Sequence, residues 1–402
     1  MRSALPVGGY HRSAATDGRA KRPAWVEVDL DAVAANVAAL AALAAPSALC
    51  AVVKADAYGH GSVPVSRAAL GAGASWLGVA MAAEAAVLRS AGIDAPILVL
   101  SEPSPDELDD VVELGLRASV YRAETVEGLA RAVGRAGTAP LPVHLKVDTG
   151  MHRVGADPAD ALALALAIAG RPELVLEAVW THCAVADEPD NPFTAAQAQR
   201  FDRVRSSLRA AGLSVPMAHA ANSAATLDHP SLRHDLVRCG IAVYGLDPSP
   251  ALRGRIDLRP ALALKARVTL VKVVPAGEAL SYGLRHRLPV DSVVATVPLG
   301  YADGVTRRLS QVGAEVLVGG RRRPMVGTVT MDQLLVDCGP ASGADALGVR
   351  WGDEVVLIGE QHGGRIGAEE WAERLGTISY EVVSGISPRV PRRYVQKPSG
   401  AV

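Results

Sequence analysis

The sequence is poor in cysteine, in aromatic side chains and in net charge. Its 402 residues include 4 cysteines, no two of which form a Cys-x-x-Cys pair, so neither a disulfide framework nor a structural zinc site is expected. A formal net charge of −1 gives no positive field that would attract nucleic acid or an anionic membrane. No apolar run approaches the roughly 18 residues of a membrane span. We therefore expect a cytoplasmic protein without nucleic-acid or membrane partners.

A glycine-rich phosphate loop is also missing after the first buried run, which argues against an open doubly wound sheet, although that fold is the alternative. Compact apolar runs, mostly separated by Ala- and Leu-rich helical stretches, instead extend over about 220 residues. Their number and total length are typical of a (β/α)8 barrel of the TIM type. The eight runs cover residues 49–53, 76–80, 97–100, 118–121, 143–147, 176–180, 217–220 and 236–244.

The pattern changes near residue 266, where short β-branched runs separated by glycine and proline turns replace the helical periodicity. These runs predict a mostly β C-terminal domain with one helix over 368–375. A chain of 402 residues exceeds what one hydrophobic core usually organises, which also favours two domains. The domains that we expect are a polar disordered tail (1–22), the barrel (23–265) and the β-rich domain (266–396).

Ionisable and polar residues follow several of the predicted barrel strands. Active sites of such barrels lie at the C-terminal ends of the strands, and any one of these residues could instead be an ordinary surface group. Their convergence on one face favours a functional site. Lys54 is the most informative, because a lysine held after a buried strand has a lowered pKa and is nucleophilic toward an aldehyde. The residues at this face are Lys54, Lys146, Asp148, Arg153, His182, His219, Asn222, Ser223 and Arg238.

The run Ala-Val-Val-Lys-Ala-Asp-Ala-Tyr-Gly-His-Gly at residues 51–61 resembles the cofactor-lysine segment of the alanine racemases. The resemblance extends from about residue 23 to residue 394. It implies an N-terminal barrel and a β-rich C-terminal domain, a pyridoxal 5′-phosphate cofactor, and interconversion of L- and D-alanine, which supplies D-alanine for peptidoglycan. Segments that match in the family's order are 145–155, 181–182, 238–245, 281–283 with 300–304, and 331–332.

The resemblance implies two bases on opposite faces of the substrate. Lys54 carries the cofactor and exchanges the α-proton on the D-alanine side, and Tyr282 from a partner subunit serves the L-alanine face. Racemisation requires both, because one base would return the proton to the face it left. An ordinary tyrosine, with a pKa of about 10, is a poor base near neutrality. In the family, a hydrogen-bond chain from Tyr282 through His182 to Arg238 makes the tyrosine a better base. Because Tyr282 completes the site of another chain, the resemblance also implies a head-to-tail homodimer.

Further roles are implied for the cofactor-binding groups. Arg238 lies against the pyridine nitrogen, where a permanently charged guanidinium disfavours protonation of the ring, so that return of the proton to the α-carbon competes well against transamination. The resemblance also implies which groups bind the phosphate of the cofactor. They are the hydroxyls of Tyr58 and Ser223 and the backbone amides of Gly240 and Ile241.

The resemblance also implies a substrate pocket. Arg153 lies near the substrate carboxylate and the phenolic oxygen of the cofactor, and Lys146, seven residues earlier, is carbamylated in some relatives. This chain departs from many relatives at Pro388, where they have a tyrosine, so one phosphate contact and part of the gate differ. The other residues implied are Met331, Tyr301 and Asp332 at the substrate, and Asp187 and Arg307 at the entrance.

The motifs leave three alternative functions open. A broad-specificity amino-acid racemase of the same fold differs only in pocket width. A non-catalytic pyridoxal phosphate carrier has a similar barrel but no second domain. A metal-dependent barrel hydrolase could use His182, His219 and Asp148, but the chain has no paired-histidine motif and this reading leaves Lys54 and Arg238 unexplained. We expect no metal.

Overall fold

The computed structural model describes residues 22–396, and the chain divides into two compact units. The first, which we call the barrel unit, comprises residues 29–261. The second, the sheet unit, comprises residues 22–28 together with 262–394. Strand β1 (Ala24–Asp29) opens the described chain. The predicted tail lies outside the described residues except for Arg22, whose guanidinium pairs with Asp303 at 2.7 Å within the sheet unit.

The barrel unit contains eight parallel strands. They are β2 (Ala48–Val52), β3 (Trp76–Val79), β4 (Ile97–Val99), β5 (Arg117–Val120), β6 (Leu141–Lys146), β7 (Leu174–Trp180), β8 (Met217–His219) and β9 (Leu236–Cys239). Helices alternate with them. They are α1 (Leu30–Ala44), α2 (Lys54–Tyr58), α3 (Ser62–Gly71), α4 (Ala82–Ser90), α5 (Leu108–Glu113), α6 (Ala123–Ala136), α7 (Ala161–Ala169), α8 (Phe193–Ala210) and α9 (Ser223–Asp228).

The eight strands lie in the order β8-β7-β6-β5-β4-β3-β2-β9, and hydrogen bonds around the two end strands close the sheet. The amide of Asp235 donates to the carbonyl of Ala218 at 3.0 Å, and that of Arg238 donates to Ala221 at 2.9 Å. The predicted (β/α)8 barrel and all eight of its strands are confirmed. The last predicted run is shorter in the structure, because a 3-10 turn over Ile241–Tyr244 follows β9.

Helix α1 illustrates how the barrel unit is held together. Asp29 caps the helix, since its carboxylate accepts a hydrogen bond from the amide of Ala32 at 2.9 Å. Val33, Val37 and Leu40 recur at helical spacing and are fully buried on one face. Burying each such side chain stabilises the fold by about 1.5–3 kcal/mol. The sequence pattern predicts this buried face but leaves the cap open between Asp29 and Asp31, and the structure shows that Asp29 is the cap.

The sheet unit is built on a mostly antiparallel sheet in the order β11-β14-β17-β16-β15-β18-β10-β1-β20, with β19 paired to β18. Its strands after β1 are β10 (Leu262–Arg267), β11 (Leu270–Val274), β12 (Ala279–Leu280), β13 (His286–Arg287), β14 (Ser292–Val297), β15 (Glu315–Val318), β16 (Arg321–Val326), β17 (Leu334–Pro340), β18 (Glu354–Gln361), β19 (Gly364–Ile366) and β20 (Arg392–Val395). Its helices are α10 (Ala344–Leu347), α11 (Ala368–Leu375) and α12 (Ser379–Ser384).

Strand β1 pairs with β10, with Val26 opposite Leu264, and so belongs to the sheet unit. The compact units therefore divide after residues 28 and 261, whereas we expected boundaries at residues 23 and 265. The mostly β character of the C-terminal part is confirmed, as is the helix predicted over 368–375. Within residues 22–396 no helix has the length and apolar character needed to cross a membrane.

Candidate active site

Lys54 directly follows β2 and begins α2, a single turn of left-handed helix. The φ angles of Ala55, Asp56, Ala57 and Tyr58 lie between 51° and 55°. Left-handed helical conformation costs about 1–2 kcal/mol for each residue other than glycine. The strained conformations fall on four residues that have side chains, and not only on the glycines of this segment. Such strain is found where a functional group must be held in one position.

Glu84, on α4, holds this turn in place. One carboxylate oxygen accepts a hydrogen bond from the amide of Ala55 at 2.7 Å, and the other accepts from the amide of Ala80 at 2.7 Å. Burial and the positive charge of Arg153 lower the pKa of Lys54, while Glu84 opposes them. The amine is thus more nucleophilic than an exposed lysine. Sequence reasoning missed Glu84, because nothing near Lys54 in the sequence points to it.

Hydroxyl and amide groups converge beside β9. Ser223 accepts a hydrogen bond from the amide of Gly240 at 2.9 Å. A Cβ on Gly240 would lie 2.5 Å from the hydroxyl oxygen of Tyr58, so only glycine permits this approach. Burial raises the pKa of Tyr58 to about 12, which keeps its phenol protonated as a donor. The amide of Ile241 opens its 3-10 turn and has no partner within that turn. Together these groups form a cradle suited to a phosphate.

Arg238 lies buried at the centre of the site, with 3% of its surface exposed. Its Nη1 donates to Nδ1 of His219 at 2.8 Å. Its Nη2 faces the carbonyl oxygens of Thr181 and Ala220 at 2.9 and 3.0 Å, and Nδ1 of His182 at 3.2 Å. All of these acceptors are neutral. Burial lowers the pKa of Arg238 to about 10, so the guanidinium stays charged near neutrality.

Among residues 22–396 no carboxylate forms a salt bridge with Arg238. Asp235, three residues before Arg238 in the sequence, accepts a hydrogen bond from the amide of Ala218 at 2.7 Å instead. The guanidinium packs over the ring of Trp180, 4.5 Å from its centroid. The positive charge is therefore stabilised by an aromatic face and neutral acceptors, and remains available to a ligand.

The protonation of His182 follows from its contact with Arg238. An arginine only donates hydrogen bonds, so Nδ1 of His182 accepts and Nε2 carries the proton. Burial, followed by the charges of Arg238 and Lys146, lowers the pKa of His182 well below the usual value. His182 is therefore neutral, with an N–H that can be donated on the side away from Arg238.

Lys146 is a second buried cation at this face, with 4% of its surface exposed. Its ammonium lies 4.2 Å from the centroid of the Trp180 ring. Burial and the charges of Arg238, Arg153 and Lys54 lower its pKa to about 7. Within the described part of the chain no carboxylate pairs with Lys146. The barrel face thus carries an excess of positive charge that suits an anionic ligand.

The segment carrying Arg153 is held by Asp148. One oxygen of this carboxylate accepts hydrogen bonds from the amides of Gly150, Met151 and His152 at 2.9, 2.9 and 3.1 Å. Arg153 itself is exposed. After burial, the positive charge of Arg153 is among the charges that lower the pKa values of Lys54, Lys146 and His182.

The remaining predicted residues, apart from Asp187, lie in the sheet unit. Tyr282, Tyr301 and Met331 are exposed by 73%, 42% and 52%. The amide of Tyr301 donates to the carbonyl of Thr330 at 3.0 Å, and the hydroxyl of Thr328 donates to the carbonyl of Tyr282 at 2.8 Å. The segment 328–331, which includes Met331, therefore contacts the main chain of both Tyr282 and Tyr301.

Three further predicted residues, Asp187, Arg307 and Asp332, are partly or fully exposed. Asp332 pairs with Arg389 at 2.7 Å, so its carboxylate is partly neutralised. Asp187, in the barrel unit, accepts a hydrogen bond on its carbonyl from the hydroxyl of Ser249 at 2.6 Å. Arg307 is exposed in the sheet unit.

The arrangement disfavours a metal-dependent hydrolase. In residues 22–396 no three histidine, cysteine, aspartate or glutamate side chains are grouped as ligands of one ion. His182 and His219 both face Arg238, whose positive charge would repel a metal ion at that point.

The barrel and its site define a class of protein: an enzyme whose lysine, at the end of the first barrel strand, can react with a carbonyl group on an anionic, phosphate-bearing ligand. Comparison with known proteins narrows this class. A family model described as the N-terminal domain of alanine racemase matches residues 28–248, and one for the C-terminal domain matches 261–394.

Curated relatives match nearly the whole chain. An alanine racemase of Symbiobacterium thermophilum is 49% identical over 373 residues, covering 93% of this chain and 97% of the relative. That of Thermobifida fusca is 46% identical over 379 residues, covering 92% and 98%. The chain therefore belongs to the alanine racemase family, which depends on pyridoxal 5′-phosphate.

Solved structures agree with this assignment. The alanine racemase from D-cycloserine-producing Streptomyces lavendulae superposes with a TM-score of 0.86 at 42% identity, over 93% of this chain and 97% of that one. The alanine racemase from Bacillus anthracis with bound L-Ala-P gives 0.86 at 40% identity, over 93% and 95%. The similarity covers both units of the chain.

Proposed function

We propose that this chain interconverts L- and D-alanine with pyridoxal 5′-phosphate, supplying D-alanine for peptidoglycan. One observation of the site carries the proposal: Arg238 is a buried cation that is bonded to His182 and has no carboxylate partner among residues 22–396. A guanidinium that stays charged near neutrality suits the unprotonated pyridine nitrogen that racemisation favours over transamination. A cytoplasmic location, suggested by four free buried cysteines, stays a prediction.

The residues present fit this cofactor. The cradle of Tyr58, Ser223, Gly240 and Ile241 offers hydroxyl and amide donors for a phosphate, with a glycine where a Cβ would fill the space. Lys54 would hold the carbonyl carbon, Arg238 would bind the ring nitrogen and Arg153 would bind the phenolic oxygen. When bound, the cofactor supplies an electron-withdrawing ring that acidifies the α-proton of an attached amino acid.

Lys54 is proposed as the base on the D-alanine side. Its lowered pKa leaves more of the amine unprotonated near neutrality than in an exposed lysine. The left-handed turn and its hydrogen bonds to Glu84 restrict where the amine can move. A proton taken up by Lys54 would therefore be returned to the same face of the α-carbon.

The partner subunit's Tyr282 is proposed as the base on the L-alanine side. In a single chain this side chain is 73% exposed, which is unusual for a tyrosine with a structural role and suits a group that completes another chain's site. His182 presents an N–H on the side away from Arg238, and this donor would stabilise a phenolate. The proposal therefore requires a homodimer.

Lys146 is proposed to be carbamylated. As an amine it is a buried cation surrounded by Arg238, Arg153 and Lys54, with its pKa lowered to about 7. A neutral amine at that pKa can form an N–C bond to carbon dioxide and release a proton to solvent, and the resulting carbamate would carry a negative charge that pairs with Arg153. Met331 and Tyr301 are proposed to narrow the substrate pocket, with Asp332, Asp187 and Arg307 farther out.

The alternative of a broad-specificity racemase rests on Pro388, which lacks the hydroxyl and the bulk of the tyrosine expected there. The alternative of a non-catalytic carrier is weakened by the second domain, since both family models match this chain.

Racemisation of alanine by the purified protein loaded with pyridoxal phosphate tests the proposal. We expect L-alanine to be converted to an equal mixture of the two enantiomers, measured by chiral chromatography. The kcat/KM for alanine should exceed that for serine, lysine and arginine by about 100-fold, because a small pocket rejects longer side chains. Comparable values for all four would support the broad-specificity enzyme. Bound cofactor that turns over no amino acid would support the carrier and overturn the proposal.

A further inference from the structure

A line of hydrogen bonds continues from Arg238 into the barrel interior. His219, which accepts from Arg238 on Nδ1, lies with its Nε2 3.0 Å from Nδ1 of His144. Nε2 of His144 in turn lies 2.9 Å from a carboxylate oxygen of Glu177. Both histidines are fully buried. The side chains of four strands, β9, β8, β6 and β7, are thus joined in one chain.

The two ends of this line set the direction of every hydrogen bond in it. Arg238 can only donate, so Nδ1 of His219 accepts and its Nε2 carries the proton. That proton is donated to Nδ1 of His144, whose Nε2 must then also carry a proton. An ionised carboxylate can only accept, and Glu177 accepts this last proton. One arrangement satisfies all the groups, with two neutral histidines in the Nε2–H tautomer.

The charges agree with this arrangement. Burial lowers the pKa of His144, and burial followed by the charge of Arg238 lowers that of His219 far below its usual value. Burial opposes ionisation of Glu177, but the hydrogen bond from His144 and the charge of Arg117 hold its pKa below the usual value. Arg117 lies 3.6 Å from the carboxylate. Neutral imidazoles thus separate a carboxylate from a guanidinium.

A β-bulge places Glu177 at the end of this line. Val143 pairs with Leu176, but the next residue, His144, pairs with Ala178, so Glu177 is an extra residue without a partner in β6. Bulges redirect a side chain out of the regular alternation of a strand. The irregularity in β7 therefore falls on the residue whose side chain bonds the ring of His144.

We propose that Glu177 and His144 are positioning residues for Arg238, and that they do so by fixing His219 as a hydrogen-bond acceptor. With the opposite tautomer, His219 would present an N–H to a group that only donates. Arg238 would then turn away and loosen its contact with His182. This inference rests on the proposed role of Arg238 and His182 in racemisation. Thr181 and Ala220 also hold Arg238, so loss of the line weakens the positioning without abolishing it.

Nitrogen NMR of the holoenzyme labelled with 15N-histidine tests the arrangement without reference to activity. We expect His144 and His219 to be neutral Nε2–H tautomers at pH 7, with signals assigned by comparison with His144→Phe and His219→Phe. A protonated ring, or an Nδ1–H tautomer at His219, would overturn the proposal. Because this result does not depend on turnover, it is distinct from failure of the proposed function, which would be absence of racemisation.

Glu177 variants test the consequence. Glu177→Leu removes the acceptor, so we expect mixed tautomers at His219 and a loss of about tenfold in kcat with KM for alanine nearly unchanged, the size of effect of one lost hydrogen bond. Glu177→Gln keeps an acceptor oxygen and should stay within about threefold of the unaltered enzyme. Glu173→Gln, just before β7, is the matched control and should change neither readout.

The proposal is overturned if Glu177→Leu keeps the histidine tautomers and the kcat of the unaltered enzyme. Equal losses of kcat in Glu177→Leu and Glu177→Gln would also overturn it. If Glu177→Leu does not fold, the tautomers of the unaltered holoenzyme decide the question alone.

Discussion

Replacing Lys54 with alanine is expected to abolish racemisation and to remove the absorbance band of covalently held pyridoxal phosphate. Both follow from the proposal that one amine serves as the attachment point of the cofactor and as one of two bases. No neighbour can take over this role. Lys146 is buried against Trp180 with its own lowered pKa, and Arg153 and Arg238 are guanidinium groups. We expect kcat/KM to fall by about 10⁴-fold or more, as for other removed nucleophiles.

An exposed lysine supplies the control for this variant. Lys272 lies on β11 in the sheet unit, and Lys272→Ala should keep both the absorbance band and the activity. Racemisation retained in Lys54→Ala, or an unchanged absorbance band, would contradict the assignment. The cradle of Tyr58, Ser223 and Gly240 is intact in this variant, so weak non-covalent binding of the cofactor is still expected.

Tyr282→Phe is expected to separate the two faces of the reaction. The variant removes the base proposed for the L-alanine face and leaves Lys54 in place. Conversion between the enantiomers must slow equally in both directions, since they are equal in free energy. Exchange of the α-proton with solvent need not slow equally, because Lys54 can still remove the proton of D-alanine and return it to the same face. General bases contribute about 10²–10⁴-fold to a rate. The rate of α-proton exchange in L-alanine should therefore fall by about that factor relative to the rate in D-alanine.

Deuterium incorporation from heavy water measures this difference directly. D-Alanine and L-alanine are incubated separately with the variant, and the deuterium content of the remaining substrate is followed by mass spectrometry. Tyr301→Phe, which alters another exposed tyrosine of the sheet unit, should leave the two exchange rates similar. Equal loss of exchange from both enantiomers in Tyr282→Phe would contradict the assignment of faces.

Much of the fold could be predicted because barrel strands are buried on both sides. Such strands are continuous apolar runs, and seven of the eight were predicted to within two residues of their observed bounds. The last predicted run, 236–244, extends past the end of β9 at Cys239. The placement of β1 could not be predicted in this way. Its alternation indicates a strand, but its partner is β10, with Val26 opposite Leu264, and no local pattern encodes a pairing over that sequence separation.

The site was predictable to a similar degree. Polar residues after buried strands pointed to Lys54, Arg153, His182 and Arg238, and the family resemblance supplied the roles proposed for them. Glu84 and Glu177 were missed for physical reasons. Glu84 acts on the main chain of a distant turn, and Glu177 reaches His144 through a bulge that exists only when β6 and β7 are paired.

The central claim is that each catalytic site combines Lys54 of one chain with Tyr282 of its partner. Coexpression of Lys54→Ala and Tyr282→Phe chains with two different affinity tags, and purification of the mixed dimer, tests it most directly. In a head-to-tail dimer one site then lacks both residues and the other has both. We predict that the mixed dimer recovers about half of the unaltered activity per dimer, although each parent variant is nearly inactive. A mixed dimer no more active than its parents would contradict the claim.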